Sequence, residues 1–571
     1  MKSTLALSLV LLVLPSLTFA QTPGIDIQGA EGALATNIRA HVQLPDLDCA
    51  ASGVRLARFL PGIRQRVVRA GRALGYYRMQ QVTRFEIGES CWNLTIQVDP
   101  GEPVRFDEIN VAVDENIELF QSALQTLPVS SGQQLNQSAY EQIKTSLSSL
   151  AVEQGFFDAR YNRSQLQLDL ISNTADVDLE FSPGPRYRIG AVDIQQPGEL
   201  SEEFIERFLN LEPGAFYSSS VLLGMRNNLN SSHYFSSVSV TPLIDEAVNN
   251  EVPVRVALSM RPQKVYSAGV GVTTDIGPRL RADYEDRYRN RSGHSFEAHA
   301  GVSPIQQDVN FRYSIPMRNP ATESLDLSAG YIAEDTDTFV SNSAKVAATY
   351  RFINRWDWRQ QVSLGVQHDE SEIGGEVIEA DFVIPGVSLD RTSADDALYP
   401  TRGWRLFGEL KAASDTLLSS ESFVQMNIAG KGIRSVGPGR LMFRFDAGTT
   451  MTNDLDSLPT SIRYFAGGDQ TVRGYRYESL GPENEAGDVI GGKHKLSVGL
   501  EYDFPIMDNW KLAVFTDTGN AFNDFADYEL KTGAGIGVRW LSPIGPIRVD
   551  LASALDNDNK LRLHITMGPD L

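Results

Sequence analysis

Beyond residue 20 the sequence contains no run of 18 or more apolar residues, and that absence excludes ordinary transmembrane helices. It does not exclude a barrel, whose strands alternate apolar and polar residues and escape a hydropathy window. Positive charge is also short: 51 Lys and Arg stand against 72 Asp and Glu, a net charge of −21 that argues against a nucleic-acid partner. Cysteine is scarcer still, with Cys49 and Cys91 alone. Two cysteines without clustered histidines cannot complete a tetrahedral zinc site. In an oxidising compartment the pair is expected as a disulfide, the alternative being two buried free thiols. The seven histidines are scattered, and His294 and His299, five apart, make a poor metal geometry. "GVGV" at 269–272 has no helix after it and so is no phosphate loop. No nucleophile motif appears, so neither an enzyme nor a bound cofactor or metal is expected.

The first residues are a targeting segment. Lys2, the apolar "LALSLVLLVL" and the small-residue "TFA" before Gln21 read as a signal peptide, residues 1–20, cleaved after Ala20. The rest, too long for one hydrophobic core, divides into several domains. Two junctions repeat about eighty residues apart, "VDPGEPVRFDEINV" at 98–111 and "FSPGPRYRIGAVDI" at 181–194, and mark a recurring module. The third copy is the clearest. "YRIGAVDI" is a strand, "SEEFIERFLN" a helix capped by Ser201, "SSSVLLGMRNNLNSS" a second helix, and "HYFSSVSVTPL" and "EVPVRVALSM" two strands. Three β-α-α-β-β modules are therefore expected, at 21–100, 101–184 and 185–262. Gly75 and Gly155, each followed by aromatics, read as helix C-caps.

From residue 263 to 571 helix signals vanish and period-two alternation takes over. "KLSVGLEYDF" sets Leu496, Val498, Leu500, Tyr502 and Phe504 against Lys495, Ser497, Glu501 and Asp503. "LRLHITM" and "RLMFRFDAG" alternate in the same way, and about sixteen such segments fit, separated by turn signals. Strands with one apolar and one charged face, behind a signal peptide, fit a sixteen-stranded outer-membrane barrel.

One stretch breaks the alternation: "FAGGDQTVRGYRYESLGP", residues 465–482. Exported β-α-α-β-β modules, a sixteen-stranded barrel and "VRGY" before its last strands resemble the outer-membrane protein-assembly and secretion factors, whose modules are called POTRA domains. Three modules, the chain length and the ending "MGPDL" look most like the TamA family, the outer-membrane subunits of translocation and assembly modules. The resemblance implies a bacterial outer-membrane barrel with POTRA domains in the periplasm. The implied partners are a TamB-like inner-membrane-anchored protein, unfolded outer-membrane clients and outer-membrane lipid. It further implies that Arg473, Gly474 and Tyr475 lie on a loop folded back into the lumen. There Arg473 would meet Glu501 or Asp517, the latter followed by Gly519 in "FTDTGNAF"; which acid is the partner stays open. Glu501 and Asp517 are thereby read as structural rather than as an acid/base pair.

A mechanism follows from strand edges. A POTRA sheet edge can accept a client strand. The barrel closes by pairing "VYSAGVGVTT" with "LRLHITMGP". Gly269 and Gly271 weaken the first strand, the last stops at Gly568-Pro569, and Ala268 and Thr566 are expected to face each other across this seam. A weak seam would open sideways for clients; the alternative is a closed barrel whose glycines mark curvature. The competing function is a two-partner secretion pore, and a passive porin would leave the modules unexplained.

Overall fold

The computed structural model describes residues 22–568, except 90, 116, 197, 213, 527, 543–544 and 557–560. The signal segment and Pro569 lie outside the described residues. The chain divides into two compact units, one holding the chain through Ala191 with two short returns that end at Leu222 and Val254, the other holding the remainder.

The first module runs β1 (Gly24–Gln28), α1 (Gly32–His41), α2 (Gly53–Ala57), α3 (Leu60–Ala73), β2 (Gln80–Ile87) and β3 (Trp92–Asp99). It has one short helix more than the expected pair. The extra turn belongs to a segment tied down on both sides: Cys49 is disulfide-bonded to Cys91, and the Trp92 indole donates to the Asp48 carbonyl at 2.8 Å. Leu56 of α2 closes a small core with Ala51 and Trp92.

The second module runs β4 (Arg105–Val113), α4 (Ile117–Gln125), α5 (Gln137–Glu153), β5 (Arg160–Asp169) and β6 (Thr174–Ser182). Asn136 caps α5 through the Ser138 amide, and β6 turns Ala175, Val177, Leu179 and Phe181 inward onto Phe120, Leu147 and Phe156. The third comprises β7 (Arg188–Gln195), α6 (Glu202–Leu209), α7 (Ser219–Asn230), β8 (Phe235–Pro242) and β9 (Glu251–Met260). Ser201 caps α6, with Glu202 and Glu203 in the first turn where the helix dipole favours them. Each module sheet has three strands with the last strand central: β1-β3-β2, β4-β6-β5 and β7-β9-β8.

The repeated junction has a physical reason. Gly75 and Gly155 both sit at positive φ, +86° and +85°, and end their helices as expected. Their carbonyls accept the amides of Val104 and Tyr187, both at 2.9 Å, each residue lying just past the next Pro-Gly junction. A Cβ on Gly155 would come 2.9 Å from the Tyr217 carbonyl oxygen, so the joint requires glycine.

The barrel strands are β10 (Lys264–Thr273), β11 (Gly277–Asp286), β12 (Ser295–Val302), β13 (Gln306–Pro316), β14 (Glu323–Asp335), β15 (Phe339–Ile353), β16 (Arg359–Ile373) and β17 (Glu376–Ala394). They continue with β18 (Arg402–Ala413), β19 (Phe423–Val436), β20 (Gly439–Thr452), β21 (His494–Met507), β22 (Trp510–Phe522), β23 (Lys531–Ser542), β24 (Gly545–Ala554) and β25 (Leu561–Met567). They form one sheet in sequence order, every pairing antiparallel. The alternation has the sense the sequence suggested. Leu500, Val514, Ile536, Val549 and Leu563 are exposed on the outside, while Ser497, Glu501, Asp503 and Asp517 are buried on the inside.

Helix α6 and Tyr234, just before β8, hold this part of the third module to the barrel turns that follow β11 and β13. Tyr234 donates to the Gly293 carbonyl at 2.5 Å, and Arg207 donates to the Pro316 carbonyl at 3.0 Å. Gly293, at φ +74°, lies against the Phe204 ring.

Candidate functional site: the returning loop and the seam

The loop between β20 and β21, residues 453–493, is long for a barrel connection, and its tip is buried. Val472, Arg473 and Tyr475 are all buried, and Val472 and Tyr475 pack with Ala466, Leu480 and Ala554. A loop can return this deeply only if its charge is matched and the wall leaves room, and both conditions hold.

Charge matching centres on Arg473. Its Nε and Nη2 donate to the two oxygens of Asp517 at 2.7 and 3.1 Å, a forked pairing, and its amide also donates to that carboxylate. Nη1 donates to Glu501 at 2.8 Å and to Asp550 at 3.0 Å. The choice between Glu501 and Asp517 therefore resolves as both, with a third acid that the sequence reading missed. Arg539 completes the network, with Nε at 2.9 Å from Glu501 and Nη1 on Asp550. Arg444 lies 2.9 Å from Asp517 and donates to the carbonyls of Asp469 and Thr471 within the loop. Three guanidinium groups thus face three carboxylates, and the Arg473 guanidinium lies 3.4 Å over the Phe515 ring. Burying these charges costs desolvation, which the dense mutual pairing offsets, with the Arg444 Nε the one nitrogen of the three guanidinium groups buried without a hydrogen-bond partner among the described residues.

The wall leaves room through glycine. A Cβ on Gly533 would come 1.8 Å from the Arg473 carbonyl oxygen, and one on Gly499 would strike Arg444 and Asp517. Gly474 has φ +102°, and a Cβ there would lie 2.9 Å from the Ala554 nitrogen. Gly519 serves strand packing instead: its Cβ would lie 2.6 Å from the Leu496 carbonyl oxygen. Tyr475 is wedged in place by its hydroxyl, 3.3 Å from Asp556.

The tip also bridges the two ends of the sheet. The Gly474 amide donates to His564 Nε2 at 2.9 Å, so the proton of this imidazole sits on Nδ1, which donates to Asp469. Asp469 accepts from the Thr274 hydroxyl at 3.1 Å, and its amide donates to Asp275 at 2.8 Å. One loop residue therefore holds the turn after the first strand and a side chain of the last. Burial and the neighbouring Asp469 carboxylate push the Asp275 carboxyl up to about 7. Asp275, Asp469 and His564 bring their ligand-type atoms within 4.8 Å. Both imidazole nitrogens are already engaged, so the cluster serves as a latch and not as a cation cage.

The strands at this seam meet sparingly. Among the described residues, the hydrogen bonding across it is between Thr274, just past β10, and Ile565: the Thr274 amide donates to the Ile565 carbonyl at 3.3 Å, and the Ile565 amide donates to the Thr274 hydroxyl at 3.0 Å. This corrects the expected register. The outer strands run antiparallel, so one step from this contact sets Thr566 against Thr273, and Ala268 lies well past the end of β25. Gly269 and Gly271 sit within β10 opposite Arg281 and Arg279, and a Cβ on either would meet nothing within 4 Å. Gly568 is anchored to the neighbouring strand, its amide donating to the Pro546 carbonyl at 3.1 Å.

A second buried lock lies at the opposite rim. Arg440 pairs with Asp503, donates to the Pro400 carbonyl at 2.6 Å and lies 3.4 Å over the Tyr399 ring. Asp395 shapes this turn by accepting from the Thr401 amide at 2.9 Å. The "LYPTRG" stretch carried that signal, a tyrosine-proline turn before an inward-facing strand.

Comparisons with known proteins agree with this architecture. Residues 291–570 match the Omp85 superfamily domain, residues 24–100 the first POTRA domain of TamA, and residues 187–260 a POTRA domain described as a surface antigen variable number repeat. An outer membrane protein assembly factor BamA from Nitratidesulfovibrio vulgaris is 24% identical over 438 residues, covering 72% of this chain and 54% of its own length. The chain thus spans about half the length of that relative. The BamA of Neisseria meningitidis is 22% identical, with 74% of this chain and 71% of that protein covered. The crystal structure of Haemophilus ducreyi BamA lacking POTRA domains 1–3 superposes with a TM-score of 0.65 at 18% identity, covering 81% of this chain and 99% of that one.

Proposed function

Because the chain belongs to the Omp85 superfamily, with a barrel in the outer membrane and POTRA domains in the periplasm, we propose that it is the outer-membrane subunit of a translocation and assembly module. In this reading it inserts β-barrel proteins and autotransporters without enzymatic chemistry. The names of its relatives support an assembly role, and the likeness of residues 24–100 to the first POTRA domain of TamA supports the narrower assignment. Its partner is then a TamB-like periplasmic protein anchored in the inner membrane.

The observation that carries the proposal is the seam. Fifteen antiparallel pairings join the sixteen strands, while among the described residues the end strands share hydrogen bonds at one residue pair, so the seam is the weak line and an incoming strand can add to the edge of β10. The edges of the module sheets, β2, β5 and β8, offer the same backbone chemistry to a client still in the periplasm. The loop tip sets when the seam parts, because Asp469 holds both of its sides.

The test is a reversible tether. Thr273→Cys with Thr566→Cys, oxidised in cells, is expected to leave client barrels unfolded and heat-sensitive, and reduction is expected to restore them. Normal client assembly with the tether fully formed would remove the lateral-opening mechanism. Failure to co-purify a large inner-membrane-anchored partner after crosslinking would remove the narrower assignment.

A further inference from the structure

Between Ala51 and Gln80 the sequence carries seven arginines and no Asp, Glu or Lys, in a chain of net charge −21. Arg55, Arg58, Arg64, Arg69, Arg72 and Arg78 are exposed and Arg66 is half-buried. The opposite side of α3 explains the placement: Ile63, Val67, Ala70 and Gly71 face the module core, which leaves the arginines on the outward arc. Among the described residues none of the seven forms an ion pair. The hydrogen bonds of Arg64, Arg66 and Arg78 go to backbone carbonyls. Elsewhere the chain interleaves its charges, as where Arg163 pairs with Asp178 and Glu180 and Arg312 pairs with Glu297. A face that needed only water would follow that pattern, because seven unneutralised guanidinium groups repel one another.

Apolar side chains stand among these cations. Val54 is 77% exposed, Ile87 63% and Phe59 40%. Ile87 and α2 are neighbours, the Ile87 Cδ1 lying 3.3 Å from where a Cβ on Gly53 would sit. Arginines flanking exposed aliphatic and aromatic groups on short helices are the chemistry of a bilayer interface, where forked guanidinium groups bind lipid phosphates and the apolar groups enter the headgroup boundary.

We propose that the α2–α3 face of the first module docks on an anionic phospholipid surface. The proposal stands whether or not the barrel seam opens.

The test uses the full chain, held in nanodiscs of phosphatidylcholine and immobilised, with vesicles passed over it. Vesicles containing phosphatidylglycerol are expected to be retained and pure phosphatidylcholine vesicles to pass, with retention falling steeply as salt is raised. Arg55→Gln, Arg58→Gln and Arg69→Gln together are expected to weaken capture by roughly a hundredfold, about fivefold for each charge. Val54→Ser with Phe59→Ser is expected to weaken it severalfold with the charge unchanged. Equal capture of neutral vesicles, or capture unaffected by either variant, overturns the proposal. So does soluble polyglutamate that competes as well as the charged vesicles bind, an outcome that assigns the face to an acidic polypeptide.

Discussion

In the second module Phe106, Phe120, Phe156 and Phe181 are buried together and the charges face out; in the barrel Arg473, Asp517, Arg539 and Asp550 are buried and the aliphatic groups face out. Burial works in opposite senses because the surroundings differ, water around the module and lipid around the barrel. The difference teaches where each region can change state. An apolar core loses stability in proportion to the volume removed, and gradually. A matched set of buried charges fails at once when one member goes, because the others are left unpaired in a low dielectric. The loop tip is built in the second way, so it can act as an all-or-none element while the ladder around it stays intact.

The largest effect that would break this contrast belongs to Arg473→Ala. Asp517, Glu501 and Asp550 would then face only Arg539 and Arg444, and the docked loop should lose about 3–5 kcal/mol. The expected outcome is rapid proteolysis within residues 453–493 in a barrel that still shows its folded heat-dependent gel shift. A protected loop would mean that the apolar contacts of the tip suffice. Next comes Phe120→Ala, which should cost the second module about 3–4 kcal/mol through the cavity it leaves. Thermal melting of the helical signal reads this, with the gel shift unchanged; coupled loss of both would erase the contrast between the regions. The smallest effect sharpens the contrast at its charged end. Asp275, with its carboxyl pushed up to about 7, keeps a proton more readily when the tip is docked against it. The groups around it are Asp469, whose amide donates to it, His564 and the Thr274 hydroxyl behind Asp469, and Glu478, whose own carboxyl burial also pushes up to about 7. Tip docking should therefore be strongest below the ordinary carboxylate range, weaken as pH rises towards 7 and level off above it. Asp275→Asn should remove that part of the pH dependence in a proteolysis profile; an unchanged profile would assign the dependence to the other groups.

Much of this was written in local pattern. Alternation separated the lipid face from the lumen face, the paired junctions gave the modules, and the placement of Glu501 and Asp517 on inward-facing positions gave two of the three acids around Arg473. Asp550 and Arg539 obey the same alternation and were legible in principle, but nothing local distinguishes them from any other inward charge. His564 and Asp469 were not legible, because their meaning comes from closure of the sheet, which brings residues 95 positions apart into one hydrogen bond. The seam register failed for a related reason. Period two fixes which side a residue faces but not how far one strand has slid along another, and the Ala268–Thr566 pairing was wrong by that slide.

The joints at Gly75 and Gly155 have a consequence for how such chains grow. Each pairs a backbone carbonyl with a backbone amide, and the aromatic that follows two residues after the glycine reaches across in both copies: Tyr77 accepts from Gln137, and Phe157 stacks edge-on against Tyr187 and Tyr217. A duplicated module would bring both halves of its own joint with it, the glycine and aromatic at one end and the Pro-Gly entry at the other. The freedom to vary module number is thus contained in a short recurring motif rather than in a surface built anew for each pair.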